Sequence, residues 1–356
     1  MPHIVAVHTG AGNCSHETNK LLKILCKSVC SEVSALLAGG RSATDAAVAG
    51  SLLLEDSPLT NAGLGSSITD DKKTRTEASI CSTVSGFHCA GDLENVRHPI
   101  KIVEMMARDT LENTSQYIPP RIMVGQSAID RYSQKDAVIC QTNICTKRSI
   151  KMFYKAEKYF NGKLPAKRRK VDPEVAIKDP DEIKKEVSFS ESSKIASNHE
   201  KEEGPDGVED TVGVVCIDST GDITCATSSG GSVYKYSGRL GQCCTHGAGS
   251  YTTPSLGIVT TGNGEQIINK LIAVTVAHKL PYCTDPRAAL DACFQHKESR
   301  MCGFVAVEKG EEGVATVHVQ HTLTNMVVGF MSAQMEAPVV RVVTSEAPVF
   351  IETVRM

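Results

Sequence analysis

An α+β fold, with two packed sheets and helices on their outer faces, is what this sequence predicts. Three observations predict it. Strand-like runs, then helical apolar spacing, then strands again follow one another along the chain. Of its 356 residues, 41% are hydrophobic, the share of a folded protein long enough to bury one large core or two ordinary ones. A charged interior stretch then divides two regions of globular composition.

The elements follow in order. Ile4-Val5-Ala6-Val7 is a short apolar strand that runs into the turn-forming Thr9-Gly10-Ala11-Gly12. Leu21, Leu22, Ile24, Leu25, Val29, Val33 and Leu36 recur at helical spacing, and Gly39-Gly40 stops that helix. Ser42 through Asp45 caps a second helix that runs through Leu52-Leu53-Leu54. Val212 to Ile217 is a β-branched run, Asp218 to Asp222 a hairpin turn, and Ile223 to Thr227 the returning strand. Helices are expected near Gln266 to His278 and near Pro286 to Phe294, with strands at Phe304–Val307 and Val327–Met331.

Composition also excludes functions. A net charge of −3 excludes a uniformly basic nucleic-acid coat, and no nucleic-acid-binding motif stands out. No apolar run approaches the roughly 20 residues that span a bilayer. The first residues lack the order of a secretion signal, so the chain is expected to stay inside the cell. Fourteen cysteines are scattered without a CxxC pair and eleven histidines without an HExxH, so neither a metal nor another cofactor is expected. The cysteines read as reduced, buried thiols.

Residues 1–162 form one unit and residues 211–356 another. Between them, 163–210 carries 10 basic and 13 acidic residues, too few apolar groups to offset its chain entropy, and reads as a mobile loop. Such a loop inside a compact fold calls for a functional reason. Its end supplies one. Were the Asp210–Thr211 bond cut, Thr211 would become an amino terminus at a strand start, with its hydroxyl as nucleophile and its own amine as base. A free α-amine titrates near 7.7–8.0, close to operating pH. Taken alone, a threonine opening a strand is simply a β-branched residue that fits the pleat.

The surroundings change that reading. Thr227-Ser228-Ser229-Gly230-Gly231, Gly238-Arg239-Leu240-Gly241-Gln242 and Thr261-Gly262-Asn263-Gly264-Glu265 follow the threonine. Ahead of it stand Val7-His8-Thr9-Gly10-Ala11-Gly12 and the stretch from Leu54 to Ser66 containing Asn61-Ala62-Gly63. This ordered set resembles the asparaginase-type family of amino-terminal-nucleophile (Ntn) hydrolases, and within it looks most like the threonine aspartase (taspase) branch. The resemblance implies a four-layer αββα sandwich made as one precursor and split at Asp210–Thr211. It implies Thr211 as nucleophile, Ser229 as the hydroxyl tuning its amine, and Asn61 as an amide supporting the oxyanion or the amine. Thr261 and the Gly262 N–H match the oxyanion hole, with Gly264 in the same motif, and Arg239 matches the guanidinium that grips a substrate carboxylate.

Two positions separate the branches. Relatives acting on free asparagine or isoaspartyl dipeptides place an aspartate for the substrate ammonium where this chain has Gln242. Asp210 before the nucleophile suggests cleavage after aspartate, if one pocket serves both reactions. Thr261 points the other way, since asparaginases carry threonine there and threonine aspartases serine. Glu77 stands where the family has aspartate, and a lysine expected beyond Gly12 is Thr18 here, with Lys20 nearby. The first expectation is therefore a self-activating endopeptidase cutting at Asp-Gly sites. The alternatives are a cytosolic L-asparaginase or isoaspartyl dipeptidase, or a non-enzymatic scaffold. Pro165 to Val171 is a basic block that reads as a nuclear import signal or a solvated charge run. The resemblance implies nuclear and cytoplasmic location, trithorax-type methyltransferase and TFIIA-precursor substrates, and αβ units pairing into a heterotetramer.

Overall fold

Serines begin both early helices. Ser15 and Ser42 accept the backbone N–H of Thr18 and Asp45 with their side chains, and Gly39 ends the first helix by donating to the carbonyls of Ala35 and Leu37. The computed structural model describes residues 1–112, 117–133, 144–163, 211–283, 285, 287–294 and 300–356. Asp210, the basic block and all but the first residue of the expected loop lie outside the described residues, as does Cys140.

Before that gap the order is β1 (Ile4–Gly12), α1 (His16–Ala38), α2 (Ala43–Glu55), β2 (Arg75–Ser82) and β3 (Gly86–Glu94). Next come α3 (Pro99–Glu112), β4 (Ile122–Val124), α4 (Gly125–Ser133) and α5 (Lys147–Lys163). After it come β5 (Val212–Ile217), β6 (Ile223–Ser229), β7 (Ser250–Thr252), β8 (Leu256–Gly262), α6 (Gly264–Lys270), α7 (Ile272–Lys279) and α8 (Arg287–Asp291). Strands β9 (Cys302–Lys309), β10 (Val314–His321), β11 (Asn325–Ser332), β12 (Val339–Thr344) and β13 (Val349–Arg355) close the chain.

Two sheets form. One has the order β12-β11-β1-β5-β6-β2-β3-β4, the other β13-β10-β9-β8-β7. Three apolar interfaces stack them. Helices α1, α2 and α3 cover one face of the larger sheet, through Val29, Val33 and Leu54 against Val5, Val7 and Val214. Ile4, Val215, Ile223 and Val259 fill the gap between the sheets. Ile272, Val276 and Leu290 of α7 and α8 seal the far side of the smaller sheet. The result is helices, sheet, sheet, helices.

One expectation needs correcting. The single helix near Gln266 to His278 is two helices broken at Leu271, whose φ is 47°. Ile267 and Ile272 both face the third interface, and their spacing of five residues does not fit one face of a continuous helix. The break resets the face.

Period-two alternation places the functional end of the molecule. On β5, Val212, Val214 and Cys216 face the helices, so Thr211, Gly213 and Val215 face the gap between sheets. Val212 pairs with Ser228 across the hairpin, which sets Thr211 beside Ser229, eighteen residues on. On β8, Val259 faces the gap, and so does Thr261.

His8 occupies the gap beside Gly213, its partner across the β1–β5 ladder. A Cβ on Gly213 would overlap His8 Nε2 and lie 2.8 Å from Val259 Cγ2. We expect Gly213→Ala to cost about 1–3 kcal/mol by overpacking, read as a shifted urea midpoint and partly recovered by adding His8→Ala. Burial holds the His8 imidazole down at about 3, with the Thr211 backbone only partly opposing. The unfolded imidazole takes a proton below about 6.5, which the folded one refuses. That contribution is therefore complete above about pH 6.5 and lost as pH falls, at up to about 1.4 kcal/mol per unit. Denaturation of His8→Gln between pH 6 and 4 should show a correspondingly flatter slope.

Candidate active site

A buried chain of hydrogen bonds centres on Thr211. Gln242 Nε2 donates to Thr211 Oγ1 at 2.6 Å, and Thr211 Oγ1 donates onward to Ser229 Oγ at 3.2 Å. Ser229 Oγ also accepts from the Gly231 N–H at 2.9 Å. Thr211, Ser229 and Gln242 are all buried. The hydroxyl is thus oriented from both sides, its lone pair met by an amide and its proton aimed at a second hydroxyl. Gln242 reaches it from a 3-10 turn over Gln242–Cys244 that crosses the open end of the gap.

A cavity opens against this hydroxyl, lined by Asn61, Thr211, Ser229, Gly231, Ser232, Arg239, Gln242, Gly262 and Gly264. The elements therefore bring together most of the residues singled out from sequence. Asp210 lies outside the described residues. Thr261 stands back from the wall, fully buried, where its Oγ1 accepts from the Ala11 N–H at 3.3 Å. It ties β8 to the last residues of β1, which stay in the strand through Gly12 where the sequence suggested a turn. Gly262 reaches the cavity itself, with φ of 125°, a conformation open to glycine and strained for other residues.

Asn61 does structural work in this arrangement. Its Nδ2 donates to the Gly231 carbonyl at 2.8 Å, and its Oδ1 accepts from the Ser67 N–H at 2.8 Å. Its backbone carbonyl takes the Gly230 N–H at 2.7 Å. It clamps the glycine pair that follows Ser229 and has one side-chain N–H left for a substrate oxygen or an amine. The loop that carries Asn61 hangs from Glu55, whose Oε1 accepts from Ser228 Oγ at 2.6 Å and from the Ile100 N–H at 3.2 Å. Burial pushes the Glu55 carboxyl well above the ordinary carboxylate range, with the Ser228 and Ile100 hydrogen bonds opposing.

Arg239 is gripped by Glu265, its Nε and Nη2 each donating to one carboxylate oxygen at 2.9 Å. The Arg239 side chain is 15% exposed, whereas that of Glu265 is 61% exposed. A substrate carboxylate would replace a solvent-facing partner, since the fork geometry suits either. Three further residues shape the site without a local sequence signal. Glu77 Oε2 accepts the Gly241 N–H at 2.7 Å, Lys235 is buried beneath the Arg239 loop, and Glu265 holds the guanidinium. In the sequence Glu77 stood out only as a departure from the family and Glu265 only as the end of a motif, and Lys235 not at all. Among the described residues no group of three His, Cys, Asp or Glu is placed to hold a metal ion, and no disulfide joins the cysteines.

Comparison with known proteins matches the sequence to a family. A family model described as asparaginase covers residues 1–339. An isoaspartyl peptidase/L-asparaginase of Xenopus laevis is 27% identical over 311 residues, 86% of this chain and 85% of its own. A plant-type L-asparaginase of Pyrococcus abyssi is 28% identical over 349 residues, 94% of this chain and 98% of its own. An isoaspartyl peptidase of Salmonella typhimurium is 27% identical over 288 residues, 78% and 79% of the two chains. With the match spanning all but the edge strands β12 and β13 of the two sheets, and every element of the Thr211 cavity, the chain belongs to the asparaginase family of Ntn-hydrolases.

Proposed function

We propose that the chain is a self-activating threonine hydrolase that cuts polypeptides after aspartate. The observation that carries the choice of substrate is the cavity's charge. Arg239 offers a guanidinium, and among the described residues no carboxylate lines the wall to receive a free substrate ammonium. Gln242, a neutral amide on the nucleophile, suits the N–H of a continuing peptide chain instead. Glu265, the acid at the rim, is engaged by Arg239.

The chemistry follows from the groups in place. In the uncut chain the Thr211 hydroxyl attacks the carbonyl of residue 210, passing its proton toward Ser229. The peptide becomes an ester as the Thr211 nitrogen takes up that proton and leaves the carbonyl as an amine, and water then frees the acid of residue 210 and restores the hydroxyl. The liberated amine now takes the hydroxyl proton when Thr211 attacks a substrate carbonyl, and returns it to the substrate nitrogen as that leaves and the acyl-enzyme ester forms. The Gly262 N–H at the wall stabilises the oxyanion, a class of interaction worth roughly 3–4 kcal/mol per donor. The acyl-enzyme ester is hydrolysed by water activated by the same amine.

A second reading is an L-asparaginase or isoaspartyl peptidase. The names of the curated relatives favour it, and so does Thr261, the residue the asparaginase branch carries. The nuclear regulators, location and heterotetramer implied by the resemblance rest on that resemblance alone.

Wild-type protein should resolve into chains of 210 and 146 residues by mass, whereas Thr211→Ala stays at 356 with activity reduced roughly 10,000-fold or more. An Asp-Gly peptide should be cut, and asparagine should release little ammonia. Ammonia or dipeptide hydrolysis without peptide cleavage assigns the second reading. Glu265→Gln should lower KM for the aspartyl peptide about 1.4- to fivefold, because the rim pair it removes is worth about 0.2–1 kcal/mol. Raising the salt should shrink that gain.

A further inference from the structure

Lys235 is 7% exposed, yet its Nζ makes no hydrogen bond and no ion pair among the described residues. An ammonium taken out of water without an acceptor is costly, so such a group marks a position that is filled in another state. Lys235 does not itself line the cavity; its Nζ is buried directly behind a glycine that does. Gly231 lines the cavity, and a Cβ on it would lie 2.6 Å from Lys235 Nζ and 3.1 Å from Arg239 Nη1. Two cation tips therefore converge over one bare α-carbon. Nη1 is also the guanidinium nitrogen that does not donate to Glu265.

The other occupant of this corner is Glu77. Its Oε2 is taken by the Gly241 N–H, while its Oε1 has no hydrogen-bond partner among the described residues and makes no ion pair with Lys235. Burial lowers the Lys235 ammonium from its ordinary value, with Glu77 opposing that and Arg239 adding to it. Glu77 thus helps keep the lysine charged without saturating its three donors.

We propose that Lys235 is the second cation of the substrate site: together with Arg239 Nη1 it binds the side-chain carboxylate of an internal aspartate and selects that acid over its amide. The proposal rests on the aspartyl reading above. It also supplies a cation from the loop after Ser229, where the amino-terminal region has Thr18 on α1 and an exposed Lys20. A neutral asparagine side chain would leave both donors facing a weak acceptor, and such a mismatch discriminates strongly when the groups are buried.

The test is calorimetric binding of N-acetyl-L-aspartate and N-acetyl-L-asparagine to self-cleaved wild type, Lys235→Met and Lys235→Arg, alongside kinetics on Asp-Gly and Asn-Gly peptides. We expect Lys235→Met to weaken N-acetyl-aspartate at least tenfold, to leave the asparagine analogue within twofold, and to raise KM for the Asp-Gly peptide more than it lowers kcat. Lys235→Arg should recover most of the loss. Equal aspartate affinity in wild type and Lys235→Met, equal losses for both ligands, or no aspartate binding by wild type overturns the proposal. If Lys235→Met folds poorly, the Glu77→Gln/Lys235→Met pair removes both charges and is read the same way. A wild type that binds N-acetyl-aspartate but cuts no Asp-Gly peptide sinks the endopeptidase reading while the binding comparison still decides Lys235.

Discussion

One hydroxyl fixed in the seam between two sheets is the constraint around which this molecule is arranged. Gln242 and Ser229 hold Thr211 from opposite sides, and each is itself positioned by something larger. Ser229 is set by the hairpin register, Gln242 by a turn braced through Glu77 and Gly241. Gly213 lets the sheets approach closely enough for His8 to pack against the start of the same strand. Loosening any of these contacts shifts the oxygen out of its alignment between Gln242 and Ser229.

Electrostatics around the seam are divided by depth. Glu55 lies in the helix-facing layer, bonded to Ser228. Arg239 sits at the mouth with a solvent-exposed partner, and Lys235 lies behind it with no partner among the described residues. The charged groups of the pocket thus run from an exposed, exchangeable pair at the rim to unsatisfied groups inside. Gln242, a neutral amide, adds no charge to this gradient.

Elements with local signals are legible in the amino-acid sequence alone. The caps at Ser42 and Gly39, the helical spacing from Leu21 to Leu36 and the Val212–Thr227 hairpin depend on neighbours along the chain, and each forms within a few residues of its expected place. Thr211, Ser229 and Arg239 are legible only as parts of an ordered motif set. What resists reading is tertiary. The order of the second sheet, the break at Leu271 and the placement of Glu77, Lys235 and Glu265 depend on which faces meet. A lysine between two loop motifs reads as a solvated charge until the fold buries it, and Asn61 gives no hint that its amide clamps a backbone turn.

The strand order carries a consequence for any chain opened before Thr211. Strand β1 lies between β5 and β11, and β6 is zipped to β2, so the two segments interleave within one sheet. Severing the backbone would detach nothing: the pieces would remain woven together by ladders and by a shared apolar interior. Reassembly after full denaturation would then be a bimolecular encounter, sensitive to dilution, where the intact precursor folds on its own. Maturation in such a topology acts as a ratchet, passed once and held thereafter by entanglement rather than by a covalent link.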